Sequence, residues 1–151
     1  MAEEKTLVFK IGEGLYGLDI DTVQGIENVK GFTAIPNISE HIKGIINLRG
    51  NVIPVYSLRK KFGLANIEKD ELQLIIVNVG DIQVAIEIDQ IDVIQDVNDD
   101  MIHQVPSIVR TPYEQYYKNV ISVNERLIVV LDPEKLISEN ELNTMNELIS
   151  E

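Results

Sequence analysis

The sequence predicts a mainly β chain built as two small five-stranded barrels packed side by side, with short helical turns and a C-terminal α-helix. Three observations predict it. Short runs of Val, Ile and Leu are separated by Gly, Asn and Asp. The chain matches itself without gaps in two places. Helix-start signals occur before two brief turns and one terminal segment, and hardly anywhere else.

The self-match comes first because the lobes rest on it. Residues 7–29 lie over 75–97 at a constant shift of 68, pairing Leu7/Ile75, Phe9/Val77, Ile11/Val79, Ile20/Ile88, Val23/Ile91 and Ile26/Ile94. Residues 43–58 lie over 118–133 at a shift of 75, pairing Lys43/Lys118, Ile46/Ile121, Ile53/Ile128 and Val55/Val130. Repeats of this length exceed solenoid units, so they read as a duplicated small fold. Residues 1–151 then form one domain of two lobes. The first covers about 16–74 and the second 6–15 with 75–137, their interleaving left open, and a helix follows over 138–150.

Within each copy, "LVFKI" with "YGLDI" and "LIIVNV" with "QVAIEI" read as hairpins, as do "GIINL" with "VIPVY" and "NVISV" with "LIVVL". A barrel closes such a strand set and hides its edges. Pro54 removes a ladder donor, which predicts an edge strand or a bulge. Ser57 and Asp132 occupy aligned positions suited to N-capping a turn, with Pro133 at the first helical position. Ser138-x-x-Glu141 is a capping box, and Leu142, Met145, Leu148 and Ile149 share a helical face expected to dock on the body, with a partner as the alternative.

Composition excludes more than it selects. The 151 residues carry a net charge of -12, no cysteine and no apolar run of membrane-spanning length. Disulfides, thiol chemistry and thiolate metal sites are therefore excluded. The single short basic run, "LRKK" (58–61), argues against nucleic acid or an anionic membrane as partner. "MAEEKT" has no secretory features, which makes the cytoplasm the expected compartment. "GEGLYG" (12–17) matches a dinucleotide fingerprint but precedes an alternating strand, so a hairpin turn accounts for it. His41 and His103 lack metal-ligand spacing. Asp19/Asp21 and Glu87/Asp89 alternate with apolar residues, as on the solvated face of a strand. No cofactor, metal or catalytic residue is expected.

The duplication also works as an internal control. Positions needed for packing should be apolar in both copies, and positions that diverge are functional candidates. Arg49-Gly50 against Asn124-Glu125 is the sharpest divergence. Arg49 is either a solvated flank of a hairpin corner with Gly50 at positive φ, or a five-donor head that grips a partner. Ile20, Val23 and Ile26 would share a face if the chain turned helically after "YGLDI"; their repetition as Ile88, Ile91 and Ile94 allows shared core as well.

With these residues assembled, the sequence resembles the bacterial chemotaxis coupling proteins of the CheW family. "IPNISEHIKGIINLRGNVIPVYSLRKKFG" (35–63) carries the distinctive motif, and "YGLDIDTVQGI" (16–26) and "EIDQIDVI" (87–94) carry two further stretches. The resemblance implies SH3-like barrels, no catalysis, and an adaptor joining the tip of methyl-accepting chemoreceptors to the regulatory domain of the kinase CheA. It implies a protein that is monomeric when free, cytoplasmic, and recruited to membrane receptor clusters without inserting in the bilayer. By motif position, Val23, Gly44 and Arg49 fall at receptor-coupling determinants, joined by Ile20, Ile26, Asn47 and Gly50. Ile35, Pro36 and Ile38 are the candidates for kinase contact. Gly25 departs from the pattern, standing where many members carry glutamate. A generic protein-binding double barrel, or the regulatory fragment of a chemotaxis kinase, would share the fold.

Overall fold

The computed structural model describes residues 4–35, 40–104 and 114–149. Strands β1 (Glu4–Ile11) and β2 (Gly14–Asp19) form a hairpin around Gly12-Glu13, and a 3-10 turn at Ile20–Thr22 leads to β3 (Val23–Val29). There follow β4 (Thr33–Ala34), β5 (Ile42–Leu48), β6 (Asn51–Ser57) and the short helix α1 (Leu58–Lys61). The second copy repeats the series. Strands β7 (Leu72–Val79) and β8 (Ile82–Ile88) form its hairpin, and β9 (Gln90–Val97), β10 (Ile102–His103), β11 (Tyr117–Val123), β12 (Arg126–Leu131) and α2 (Pro133–Leu136) follow. Helix α3 (Glu139–Ile149) closes the chain.

One sheet runs β10-β11-β12-β2-β1-β9 and the other β4-β5-β6-β8-β7-β3. The two orders coincide when the copies are superposed. Each sheet takes its β1–β2-type hairpin from one copy and its remaining four strands from the other, joined by the parallel pairs β12·β2 and β6·β8. The sixth strand of each sheet is the two-residue β4 or β10, beyond the five expected.

The chain crosses between sheets at Ile20–Thr22 and at Asp89. One lobe is therefore continuous from β3 to β8, and the other joins β1 and β2 to β9 through β12. This differs from the boundaries expected at 15 and 74. A hairpin closed by a two-residue turn cannot be shared between sheets: β2 stays with β1 through six residue pairs, and β8 with β7 through seven.

Strands β1 and β7 are buried on both faces. Leu7, Phe9 and Ile11 meet Ile75, Val77 and Val79 in a core shared by the lobes. On their other faces, Val8 joins one lobe's interior and Leu74 and Ile76 the other's. That double burial explains why "LVFKI" and "LIIVNV" read as nearly continuous apolar runs. Pro54 lies in an interior strand rather than at an edge. Its missing N–H costs little because the ladder from β6 to β8 begins only at Val55, and the irregular register falls on β5, between Ile42 and Gly44.

The acidic residues assigned to a solvated strand face are mostly structural. Glu87 is buried and takes Lys43 Nζ at 2.9 Å, and the repeat-equivalent Asp19 takes Lys118. Asp89, at the crossing, accepts from the Gly12 amide at 2.6 Å and Arg59 Nη1 at 2.5 Å. Asp21 alone among the four is exposed. The periodicity is real, but these carboxylates meet cations brought in from β5, β11 and α1, which local alternation does not reveal.

Caps form where the sequence places them. Ser57 accepts from the Lys60 amide, and Asp132 from that of Glu134 with Pro133 behind it. In α3, Ser138 Oγ accepts from the Glu141 amide at 3.1 Å while Glu141 Oε1 accepts from the Ser138 amide at 3.0 Å. Met145 is buried in the shared core, with Leu142, Leu148 and Ile149 packed against it. Glu141 does more than cap. Its carboxylate also takes His41 Nδ1 at 2.7 Å and the Tyr56 hydroxyl at 3.0 Å, with Lys61 Nζ 3.5 Å away. Burial pushes its pKa up, but the Ser138 amide, His41, Lys61 and Tyr56 outweigh it and bring it down to about 2. Burial and the same carboxylate push the Tyr56 hydroxyl up.

Two outcomes follow. Gly44 is buried, and a Cβ there would lie 2.0 Å from the Thr33 carbonyl oxygen, so Gly44→Ala should cost about 1–3 kcal/mol in urea unfolding. Because the folded-state pKa of Glu141 is depressed, its contribution is complete above its ordinary value and fades as pH falls from about 4.5 toward about 2. Glu141→Gln should therefore lower the urea midpoint at pH 6, and the gap from the unaltered chain should narrow by pH 3.

Candidate partner-binding surface

The corner between β5 and β6 is a two-residue turn in which Leu48 pairs with Asn51. Arg49 has φ 51° and Gly50 φ 87°, the signature of a type I′ hairpin turn. The Gly50 amide donates to Asn47 Oδ1 at 3.0 Å, and no heavy atom lies within 4 Å of where a Gly50 side chain would begin. The Arg49 side chain is 73% exposed, and its Nη2 donates to Glu27 Oε2 at 3.2 Å. Glu27, on β3, is mostly covered.

The matching corner between β11 and β12 has the same backbone, with Asn124 at φ 49° and Glu125 at φ 65°. The turn therefore does not require arginine. Asn and Gly tolerate positive φ best, and a long charged residue there costs on the order of 1 kcal/mol. The sequence left open a flank or a grip, and an exposed guanidinium fits either. Arg49 also borders a recess of about 130 Å³ with Gly25 and Glu27.

Ile20, Val23 and Ile26 do come to one side of β3, by a route other than a helix. Helical geometry ends at Thr22. The register then slips between Val23↔Val77 and Gly25↔Ile76, so Ile26 pairs with Ile75. Val77 and Ile75 both face the shared core, and this bulge gives two strand residues three apart a common face. Ile20 and Val23 pack half-buried against that core, whereas Ile26 is 41% exposed. In the other copy Ile88 is buried, Ile91 half-buried and Ile94 exposed, so core and surface roles divide along the row.

Asn47, Arg49 and Gly50 form one corner, and Glu27 ties it to β3. Val23 and Ile26 lie on the opposite side of that strand. Gly44 stands behind, admitting the Thr33–Ala34 backbone. Ile35 is half-buried at the end of β4; Pro36 and Ile38 lie outside the described residues. Glu27 was not legible in the sequence, since its link to Arg49 depends on β3 and β5–β6 converging across the lobe. Among the described residues no His, Asp or Glu group is arranged to hold a metal, and no helix is long and apolar enough to cross a membrane.

Comparison with known proteins agrees with this architecture. The family model of the CheW-like domain matches residues 5–141. A chemotaxis protein CheW of Klebsiella aerogenes is 33% identical over 92% of this chain and 84% of its own length, and one of Treponema pallidum is 33% identical over 94% and 86%. The crystal structure of the scaffolding protein TtCheW from Thermoanaerobacter tengcongensis superposes with a TM-score of 0.82 at 29% identity, covering 93% of this chain and 96% of that one. With the family model running through both lobes and nearly the whole length matched, the chain belongs to the CheW-like domain family.

Proposed function

We propose that this chain is a chemotaxis signal-transduction adaptor. It joins the cytoplasmic tip of methyl-accepting chemoreceptors to the regulatory domain of the histidine kinase CheA and supports receptor-array assembly. The observation that carries this reading is a family match running through both lobes, from residue 5 to residue 141. The protein works by binding rather than by chemistry, in the cytoplasm, as a monomer until it joins membrane receptor clusters.

In this reading Arg49, Gly50, Asn47 and the row Ile20, Val23 and Ile26 meet the receptor, with Gly44 shaping the corner from behind. Ile35, with Pro36 and Ile38, meets the kinase. Covering an exposed aliphatic side chain is worth about 1.5–3 kcal/mol. Half-buried Ile20 and Val23 have less to gain than Ile26. After the costs of association, the row supports reversible binding around the micromolar level rather than a permanent complex.

The full chain, mixed with a soluble receptor signalling fragment and the kinase, should sediment as a ternary complex at micromolar concentration. No complex at that concentration overturns the reading. Arg49→Ala should leave the melting temperature unchanged and weaken receptor binding by about 2 kcal/mol, near thirtyfold in the dissociation constant.

A further inference from the structure

We propose that the β1–β2 hairpin is exchangeable between two copies of this chain, so that the slot it fills in one molecule accepts the hairpin of another. The inference does not rest on the adaptor reading. The fold already performs such an exchange within itself, since each sheet is completed by a hairpin from the other repeat copy. Among the described residues β9 and β12 share no ladder; β1 and β2 stand between them, so the slot is one hairpin wide. The hairpin is a self-contained insert. Six residue pairs close it on itself, seven pair β1 with β9, and two pair β2 with β12 in parallel. Its polar ties belong to the slot as well: Asp19 takes Lys118 of β11, and Lys5 Nζ meets Asp96 Oδ1 of β9 at 2.6 Å.

Between β2 and the lobe from β3 to β8 stands the 3-10 turn Ile20–Thr22, which contains no buried residue. Two bonds hold it, Thr22 Oγ1 to the Asp19 carbonyl at 2.8 Å and the Val23 amide to the Ile20 carbonyl. The β7–β8 hairpin is tied at both ends. Before it, Arg59 Nε donates to the Ala65 carbonyl and Lys69 Nζ to the Asp89 carbonyl, each at 2.9 Å; after it, the Asp89 carboxylate takes Arg59 Nη1. Straightening Ile20–Thr22 therefore gives up two local hydrogen bonds and the half-buried packing of Ile20. Every strand pair, the core contacts of Leu7, Phe9 and Ile11, and the Asp19–Lys118 bridge re-form across chains. Exchange of an identical element costs little for this reason. A hinge of three residues also leaves little slack for closure within one chain, the condition that invites exchange. In dilute solution the tether keeps the hairpin at high effective concentration and the monomer wins. When many chains fold together, mass action favours the exchanged dimer.

The chain has no cysteine, so introduced thiols report cleanly. Lys5→Cys and Asp96→Cys are made in separate full-length chains, at positions that face each other across β1 and β9. The two are mixed as folded proteins, or unfolded in guanidinium and refolded together at concentrations about a hundredfold apart, and then oxidised. Co-refolding at the higher concentration should give a disulfide-linked mixed dimer, about tenfold above the random dimers of Lys5→Cys refolded alone, and its share should fall on refolding dilute. Mixing folded chains should give no more than that random level. A chain carrying both substitutions should cross-link internally, which verifies the geometry of the pair. The inference is overturned if this double variant cross-links while co-refolded single variants stay at the random level. It is equally overturned if folded chains yield as much mixed dimer as co-refolded ones, since a surface contact would then account for it. Should the double variant not cross-link, light scattering on the refolded unaltered chain decides. A dimer that survives dilution until unfolded again supports the exchange, and monomer alone, or a dimer that dissociates on dilution, overturns it.

Discussion

The rest of this molecule depends on β1 and β7 being buried on both faces along their central residues. Each strand places one row of side chains in its own lobe and the other in the core between lobes. A residue such as Phe9 or Val77 therefore stabilises both lobes at once, and neither lobe holds its sheet without a hairpin supplied by the other copy. At about 25 cal/mol per Å² of apolar surface removed from water, this doubly used interior dominates the favourable side of folding. The interface is an interior, which makes independent motion of the lobes the wrong default.

Polar contacts then specify what the apolar contacts only favour. Lys43 with Glu87 and Lys118 with Asp19 are the same bridge made twice, each joining a strand of one copy to a hairpin of the other. The buried Lys43–Glu87 pair adds modestly to stability once desolvation is counted, but leaving one partner alone is strongly unfavourable, whereas the more exposed Lys118–Asp19 pair is worth less. Their effect is to penalise a hairpin returning to its own copy, where the charges would not match up in the same places. Asp89 acts likewise at the crossing, fastening the β1–β2 turn of one lobe to Arg59 of the other. With the scaffold fixed in this way, a two-residue corner can hold Arg49 in an unfavourable backbone conformation.

Much of this was legible in the sequence because it is local. The hairpins, the caps at Ser57 and Asp132, the Ser138–Glu141 box and the positive φ of Gly50 all follow from a few adjacent residues. The duplication gave the strand count nearly complete and isolated Arg49 by comparison with Asn124. What escaped was non-local. No pattern within "YGLDI" tells that β2 stays with β1 while the following strand leaves for the other sheet. The bulge at Gly25 brings Val23 and Ile26 to one side by a slip that mimics helical spacing. Glu141 carries a capping signature, which hid its second engagement with His41, Tyr56 and Lys61. The two gapless shifts did hold a missed clue: Lys43/Lys118 and Glu87/Asp19 are conserved in charge between the copies, as only paired groups need to be.

The crossing points also impose an order of assembly. The lobe from β3 to β8 is continuous, so a ribosome delivers all of it before the other lobe has its central strands. The N-terminal hairpin must wait, because Tyr16 finds its strand neighbour only at Val129. During that interval an apolar ribbon is in the open with one finished lobe as its only shelter, and contacts of such long sequence separation form slowly. The earliest part of this protein to be made is among the last to be secured.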